Sequence, residues 1–508
     1  MDKDYSSVLI GNGLDIQVGG DDYLNKWIMV RLLARAKMGK YNMLFQNSPN
    51  SKPLIKGDEI IELFSNMVKI ANKARKNEYK HLAENFKNKD LIDALKDFKQ
   101  NHTCEIRSIE EIGMEDWLLI FLLFLIEQKD ILNQYESIKQ GFERMIFDAI
   151  YCAGHIQDLH SKMNKLSKKY FSNFDNIFTL NYDNTIEKLT KRTVFHLHGD
   201  FKTKHCSENP QNALGYLRIK KEKNVWFPQE FKHCNCSAIL DFSGNSKYNY
   251  ATKMTETFLK FEQLKENIKN NKIELKNILE TLSPEKSELV KIGVEKDLYL
   301  GQDYHFQDFE QITGTLSIIG LAPQNDSHIF SCINKSNIHS VIFYHYFGNK
   351  SDDEIEEEIK TMSLPINKPY IIKNVKIIWD KLNLSKPNKR NYNLLRKQVE
   401  QVLNIVNKIY YKSQIKINDM LGQLNSIPPL TEKVISELMT FEMSKKRYHS
   451  TSKTEQQLVS NFIDFGKTLE VAAISPQVLY YIYMMGSQSN NKTKHTIHSN
   501  NKKRKHKK

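Results

Sequence analysis

Six short runs of β-branched and apolar residues constrain this chain more than any other feature: Val8–Ile10, Ile177–Leu180, Val194–Leu197, Leu316–Ile319, Val341–Tyr346 and Val375–Trp379. Most lack the polar–apolar alternation of a half-exposed strand, which is the pattern expected where both faces of a sheet are covered. Helical stretches lie between them. The alternation predicts an α/β fold, a Rossmann-like, doubly wound and mostly parallel sheet. Ligands of such sheets bind outside the carboxyl ends of the strands, so the residues just past each run are the first to weigh.

At 508 residues the chain is longer than a usual single domain. From residue 22 to 168 the spacing is helical, as in Ile60, Ile61, Phe64, Met67, Val68 and Ile70, or Met145, Ile146, Ala149, Ile150 and Cys152. This predicts a large helical insertion, 22–168, within an α/β domain covering 1–386. Thr252 to Leu282 is a second long helical stretch, and Asp352–Glu358 reads as an acidic first helical turn. A C-terminal helical region, 387–485, is interrupted at Ser426-Ile427-Pro428-Pro429. Residues 486–508 form a basic tail, polar and expected to be disordered.

That tail carries eight lysines and arginines and no acidic residue, more than half of the net charge of +14. Nucleic acid remains a partner to consider through the tail, although no aromatic residues are interleaved there. Trp117 to Ile126 is the most apolar stretch and is far shorter than the roughly 20 residues that span a bilayer. No membrane partner is expected. Six cysteines do not make a disulfide framework at this length, and nothing at the start resembles a signal peptide. Reduced thiols and a cytoplasmic location are the expectation.

Three motifs sit at the ends of strand-like runs. In Ile10-Gly11-Asn12-Gly13-Leu14-Asp15, glycines stand where a strand turns into a helix and let backbone approach a pyrophosphate; the alternative is an ordinary tight turn. The third glycine of the dinucleotide fingerprint is missing from its usual place. In Phe178-Thr179-Leu180-Asn181-Tyr182-Asp183, both Asn181 and Asp183 should emerge at the sheet rim. There Asn181 can hold water or a ribose hydroxyl, while Asp183 or Asn184 can also cap the next helix. In Phe195-His196-Leu197-His198-Gly199-Asp200, His198 is placed to accept a proton, and His196, on the same strand face, reads as a hydrogen-bonded structural histidine.

Together the three motifs resemble the sirtuin-like NAD-consuming fold, more closely its bacterial defence branches than the protein deacylases. Gly11-Asn12-Gly13-Leu14-Asp15 is also similar to the opening of AbiH-type abortive-infection proteins. A fourth element, Ile318-Ile319-Gly320-Leu321-Ala322-Pro323-Gln324-Asn325-Asp326, is similar to the later strand–glycine loop of such proteins. The resemblance runs from about Val8 to Trp379 and leaves the helical insertion outside. It implies NAD as the substrate and cleavage of its nicotinamide–ribose bond. Asn181 would then match the catalytic asparagine, Asp183 the residue near the nicotinamide amide and His198 the catalytic histidine. Gly11, Asn12, Gly13, Asp15, Gly320 and Asp326 would fall in the cofactor-binding elements, with Gly320 against the adenosine half. Asp15 departs from the serine of the deacylases, and Ala322 lacks the hydroxyl usual at its place.

A deacylase of this kind carries a zinc ribbon of two Cys-x-x-Cys pairs. Here only His205, Cys206, His233, Cys234 and Cys236 follow His198, and Cys234-Asn235-Cys236 has the wrong spacing. Zinc is therefore not expected at Cys206, Cys234 or Cys236, and no metal ligand is assigned. The expectation is an NAD glycohydrolase releasing nicotinamide and ADP-ribose, acting in anti-phage defence. It would assemble as a homo-oligomer, restrained until a phage-derived trigger or co-encoded protein acts on it. The alternatives are an NAD-dependent protein deacylase and a non-enzymatic module sensing NAD or ADP-ribose.

Overall fold

The computed structural model describes residues 5–386, apart from 82–88, 108–110, 128–134, 206–215 and 218–227 and the single positions 38, 47, 49, 273, 324 and 325. The expected C-terminal helical region, the basic tail and Cys206 lie outside the described residues.

The strands are β1 (Ser6–Ile10), β2 (Asn176–Thr179), β3 (Phe195–His196), β4 (Tyr216–Leu217), β5 (Tyr299–Leu300), β6 (Thr313–Ile319), β7 (Asn337–His345) and β8 (Tyr370–Asn374). Six of them form one sheet in the order β3-β2-β1-β6-β7-β8, and β4 and β5 pair separately. Every pairing in the six-stranded sheet is parallel. This is the doubly wound α/β architecture that the alternating strands and helices predict. Its strands lack polar alternation for a visible reason. In β1, Val8 and Ile10 face one apolar core while Leu9 faces the other.

From β1 the chain runs outward to β2 and β3 on one side; from β6 it runs outward to β7 and β8 on the other. The direction of winding therefore reverses between β1 and β6, which leaves a crevice at their carboxyl ends. Helices Asn25–Lys37, Gly57–Arg75, Lys89–Asn101, Met114–Glu127 and Tyr135–Tyr151 fill the sequence between β1 and β2. Their apolar residues join the Val8 and Ile10 side of the core, with Trp117, Phe121 and Phe142 fully buried. A buried polar knot fixes this block to the segment after β3. Asp148 accepts from Tyr41 Oη and ion-pairs with Arg35, both at 2.9 Å, and its other oxygen meets His233 Nε2 at 2.9 Å.

Elsewhere the expected elements shift. Val375–Trp379 is not a strand: the strand is β8, and Lys376–Lys381 is helical. Its apolar residues Val375, Ile378, Trp379 and Leu382 recur at helical spacing and are buried, whereas Ile377 is exposed. Thr252–Leu282 resolves into the helices Gly244–Lys269 and Leu275–Thr281. The acidic turn opens the helix Asp352–Thr361, where Ser351 and Glu354 cap each other reciprocally.

Candidate functional site

The first cluster is built at the β1–β6 crevice. Gly11 N–H donates to Ile319 O and Gly13 N–H to Gly320 O, both at 2.9 Å, so the two strand ends continue to pair into their loops. A Cβ on Gly11 would lie 2.6 Å from Gly320 O, and one on Gly13 would lie 2.5 Å from Gly320 Cα. Gly320 itself has φ +76°. These glycines are required by backbone-to-backbone contact, and the amides of Gly11 and Gly13 are already engaged within the protein. With those amides so engaged, the glycines close the floor of the crevice. Asn12, exposed beside them, donates from Nδ2 to Tyr23 O at 3.2 Å.

Asn181 leaves the end of β2 and leans onto this floor. Its Nδ2 donates to Gly11 O at 3.3 Å, and its own N–H donates to Thr179 Oγ1 at 3.0 Å. The Asn181 carbonyl meets His196 Nδ1 at 2.9 Å. His196 is held on its other side by Glu187. Burial disfavours the imidazolium, but the Glu187 carboxylate outweighs burial and lifts the His196 pKa to about 9. His196 is thus a charged, doubly bonded strut that fixes the Asn181 backbone, in keeping with a structural role.

Two buried carboxyls complete this cluster. Asp15 and Asp183 are 2% and 4% exposed and interact with each other, and Asp15 also meets the Asn181 side chain. Burial raises the pKa of both, and the neighbouring Asp183 raises Asp15 further. Asp183 is offset by Thr185, whose N–H donates to Asp183 Oδ1 at 2.7 Å. Asp15 Oδ1 and Asp183 Oδ2 receive no hydrogen bond from a described residue. Two like charges this enclosed cannot both be carried, so the pair holds a proton. The N-cap position of the helix Thr185–Thr190 belongs to Asn184, which makes no side-chain capping bond, and Asp183 satisfies only the first helical amide, that of Thr185.

A second cluster surrounds His198. Its carbonyl accepts from Ile239 N–H at 2.8 Å, and Gly199 follows with φ +75°, pressed under Ser237. The His198 ring reaches His328, with Nε2 facing Nε2 at 2.9 Å and the rings stacked at 5.1 Å. His328 is on the helix Ser327–Lys335, immediately after Asp326, and follows β6. The two imidazoles therefore join segments that leave the sheet three strands apart. His198, Asp326 and His328 are all buried, and one ligand atom from each lies within 4.8 Å of the others. Burial holds both histidines neutral, aided by the charge of the buried Lys247; His328 falls to about 3.

The structure therefore joins Gly11, Gly13, Gly320, Asp15, Asn181 and Asp183 in one group and His198 with Asp326 in another. Gly320 of the first group and Asp326 of the second stand close together in the chain. His328 and Lys247 stand outside the motifs of the sequence, and Glu187 is legible there only as part of the first turn of the helix after β2. His328 stands two residues past Asp326, just beyond the motif Ile318–Asp326. Glu187 could be found only by knowing that the helix after β2 returns against β3. Away from both groups, Cys234 Sγ donates to Arg144 O at 3.4 Å, and Cys236 is buried. No helix among the described residues is long and apolar enough to cross a membrane. No family model, curated protein or solved structure matches this chain.

Proposed function

We propose that this chain is an NAD glycohydrolase that cleaves the nicotinamide–ribose bond to yield nicotinamide and ADP-ribose. The observation that carries the reading is the placement of Asn181. Its amide lies against Gly11 at the carboxyl edge of a doubly wound sheet, where the winding reverses, and His196 fixes its backbone. That edge is where such sheets bind nucleotides. The resemblance of the four motifs to sirtuin-like NAD-consuming proteins supplies the choice of substrate.

As nicotinamide departs, the ribose carbon acquires oxocarbenium character, and fixed dipoles and charges aimed at it lower the barrier. The Asn181 amide offers a donor and an acceptor to orient a ribose hydroxyl or the attacking water. The Asp15–Asp183 pair, with one proton between two carboxyls, places a single negative charge beside that amide. His198, neutral at ordinary pH, accepts the proton released by water or ribose once it is freed from His328. Cleavage of cellular NAD by such an enzyme would halt growth, which fits the defence role implied by the same resemblance.

NAD consumption in cells expressing the wild type, Asn181→Ala and His198→Ala tests this directly. Loss of consumption in both variants at equal protein level is expected. Normal consumption in both removes the assigned roles. NAD binding by purified protein without turnover under any activating condition would instead favour a sensing module.

A further inference from the structure

We propose that His198, Asp326 and His328 form a binding site for a divalent transition-metal ion of the Zn2+ type. Occupancy would take the lone pair of His198 and hold that residue out of proton transfer. Only this inhibitory consequence rests on the NAD-cleaving reading.

The donor set is two imidazoles and one carboxylate, all buried, with one ligand atom from each inside 4.8 Å of the others. Two imidazole nitrogens and a carboxylate suit zinc and its first-row neighbours. Nε2 of His198 already faces Nε2 of His328 at 2.9 Å. Metal–nitrogen bonds of about 2.0–2.1 Å at a tetrahedral angle separate two ligand nitrogens by about 3.3 Å, so the rings need part only slightly. Two neutral imidazoles meeting nitrogen to nitrogen satisfy each other through one proton. An ion between them uses both lone pairs.

The surroundings also make room for this pair. Gly244 opens the helix Gly244–Lys269 beside His328, and a Cβ there would lie 2.2 Å from His328 Nδ1. That nitrogen has no hydrogen-bond partner among the described residues. Lys247, one turn further along the helix, brings a positive charge near both rings. That ammonium opposes every divalent ion alike, so the preference comes from the donors: imidazole nitrogens favour Zn2+ or Co2+ over Mg2+ or Ca2+.

The test titrates chelator-treated full-length protein with Co2+, follows the visible bands, and then displaces Co2+ with Zn2+. One ion per chain is expected, with the spectrum of a nitrogen–oxygen site and no thiolate charge-transfer band. Asp326→Asn and His328→Gln should each weaken binding about tenfold or more, consistent with loss of a ligand. Asp326→Asn nearly preserves shape, so circular dichroism separates lost binding from lost folding. Mg2+ should not compete. Three results overturn the site: no binding by the wild type, unchanged affinity in both folded variants, or a thiolate band placing the ion at Cys234 or Cys236. In a parallel assay, Zn2+ should slow NAD cleavage by the wild type and act far more weakly on Asp326→Asn, each relative to its own metal-free rate. Equal inhibition of both overturns the inhibitory role. Co2+ binding at these residues without any NAD cleavage supports the site and sinks the enzymatic reading alone.

Discussion

Gly13 and Gly320 meet backbone to backbone: the Gly13 N–H donates to the Gly320 carbonyl at 2.9 Å, and no Cβ fits between them. This contact welds the loop after β1 to the loop after β6 at the point where the sheet reverses its winding. Asn181 is held against the same weld through its bond to the Gly11 carbonyl.

Replacing Gly320 by alanine should therefore be costly. Its φ of +76° strains an L side chain, and the surrounding atoms are backbone, which cannot swing aside. A loss of about 1–3 kcal/mol is expected from urea unfolding midpoints. A wild-type midpoint would show that the two loops can separate without penalty.

Asn181→Ala tests chemistry rather than folding. Removing one oriented amide from a polar site typically slows a reaction by about 100-fold, equivalent to ~2.7 kcal/mol of barrier. The fall should appear in NAD turnover while the thermal midpoint changes little, because the Asn181 backbone stays anchored by His196 and Thr179. An unchanged turnover rate assigns the amide to structure alone.

Asp15 should make stability decline with rising pH. Its pKa is raised in the fold by burial and by Asp183, so the folded state binds a proton more tightly than the unfolded chain. Stability is then greatest in acid and falls as pH climbs from the ordinary aspartate range toward the raised value. Asn181, Thr185 and His196 face this pair, and Tyr23 interacts with Asp15. Asp15→Asn should exceed the wild type in stability at neutral pH, with the difference shrinking toward acid pH. Equal pH slopes for the two proteins would refute the protonated pair.

Asp148 should act with the opposite sign. Burial opposes its charge, but His233, Arg35 and Tyr41 hold its pKa below the usual aspartate range. It contributes stability above the unfolded pKa and loses it as pH falls through the depressed folded value. Asp148→Ala strands Arg35 and His233 and should cost about 3–5 kcal/mol near neutral pH, read by denaturant titration. A cost under ~1 kcal/mol would mean that the knot between the helical block and the segment after β3 is not tight.

Much of the sheet could be read from the chain because strands covered on both faces leave uninterrupted apolar runs, and Val8–Ile10 and Leu316–Ile319 are of that kind. Gly11, Asn181 and His198 were legible because each follows such a run. The segment Val375–Trp379 misled because a short apolar run has no period of its own; only the burial of Ile378, Trp379 and Leu382 with Ile377 exposed reveals the helix. The Asp15–Asp183 pair needed the knowledge that β1 and β2 lie side by side. His328 and Lys247 carried no local signal, since one lies in the first turn of a helix and the other on a long helix whose start was placed at Thr252. Side chains that meet across the sheet from separate crossovers leave no spacing rule in the sequence.

The central position of β1 has a price during synthesis. Its two neighbours, β2 and β6, pair with Ser7 through Asn176 and Leu316, so this strand is made well before either partner and waits for both. Until both arrive it is an apolar ribbon with two open edges, exposed to chaperones and to sticking. The helices made in the meantime can screen only one of its faces, the side of Val8 and Ile10. Slow maturation, relieved by chaperone supply or low temperature, is built into this strand order.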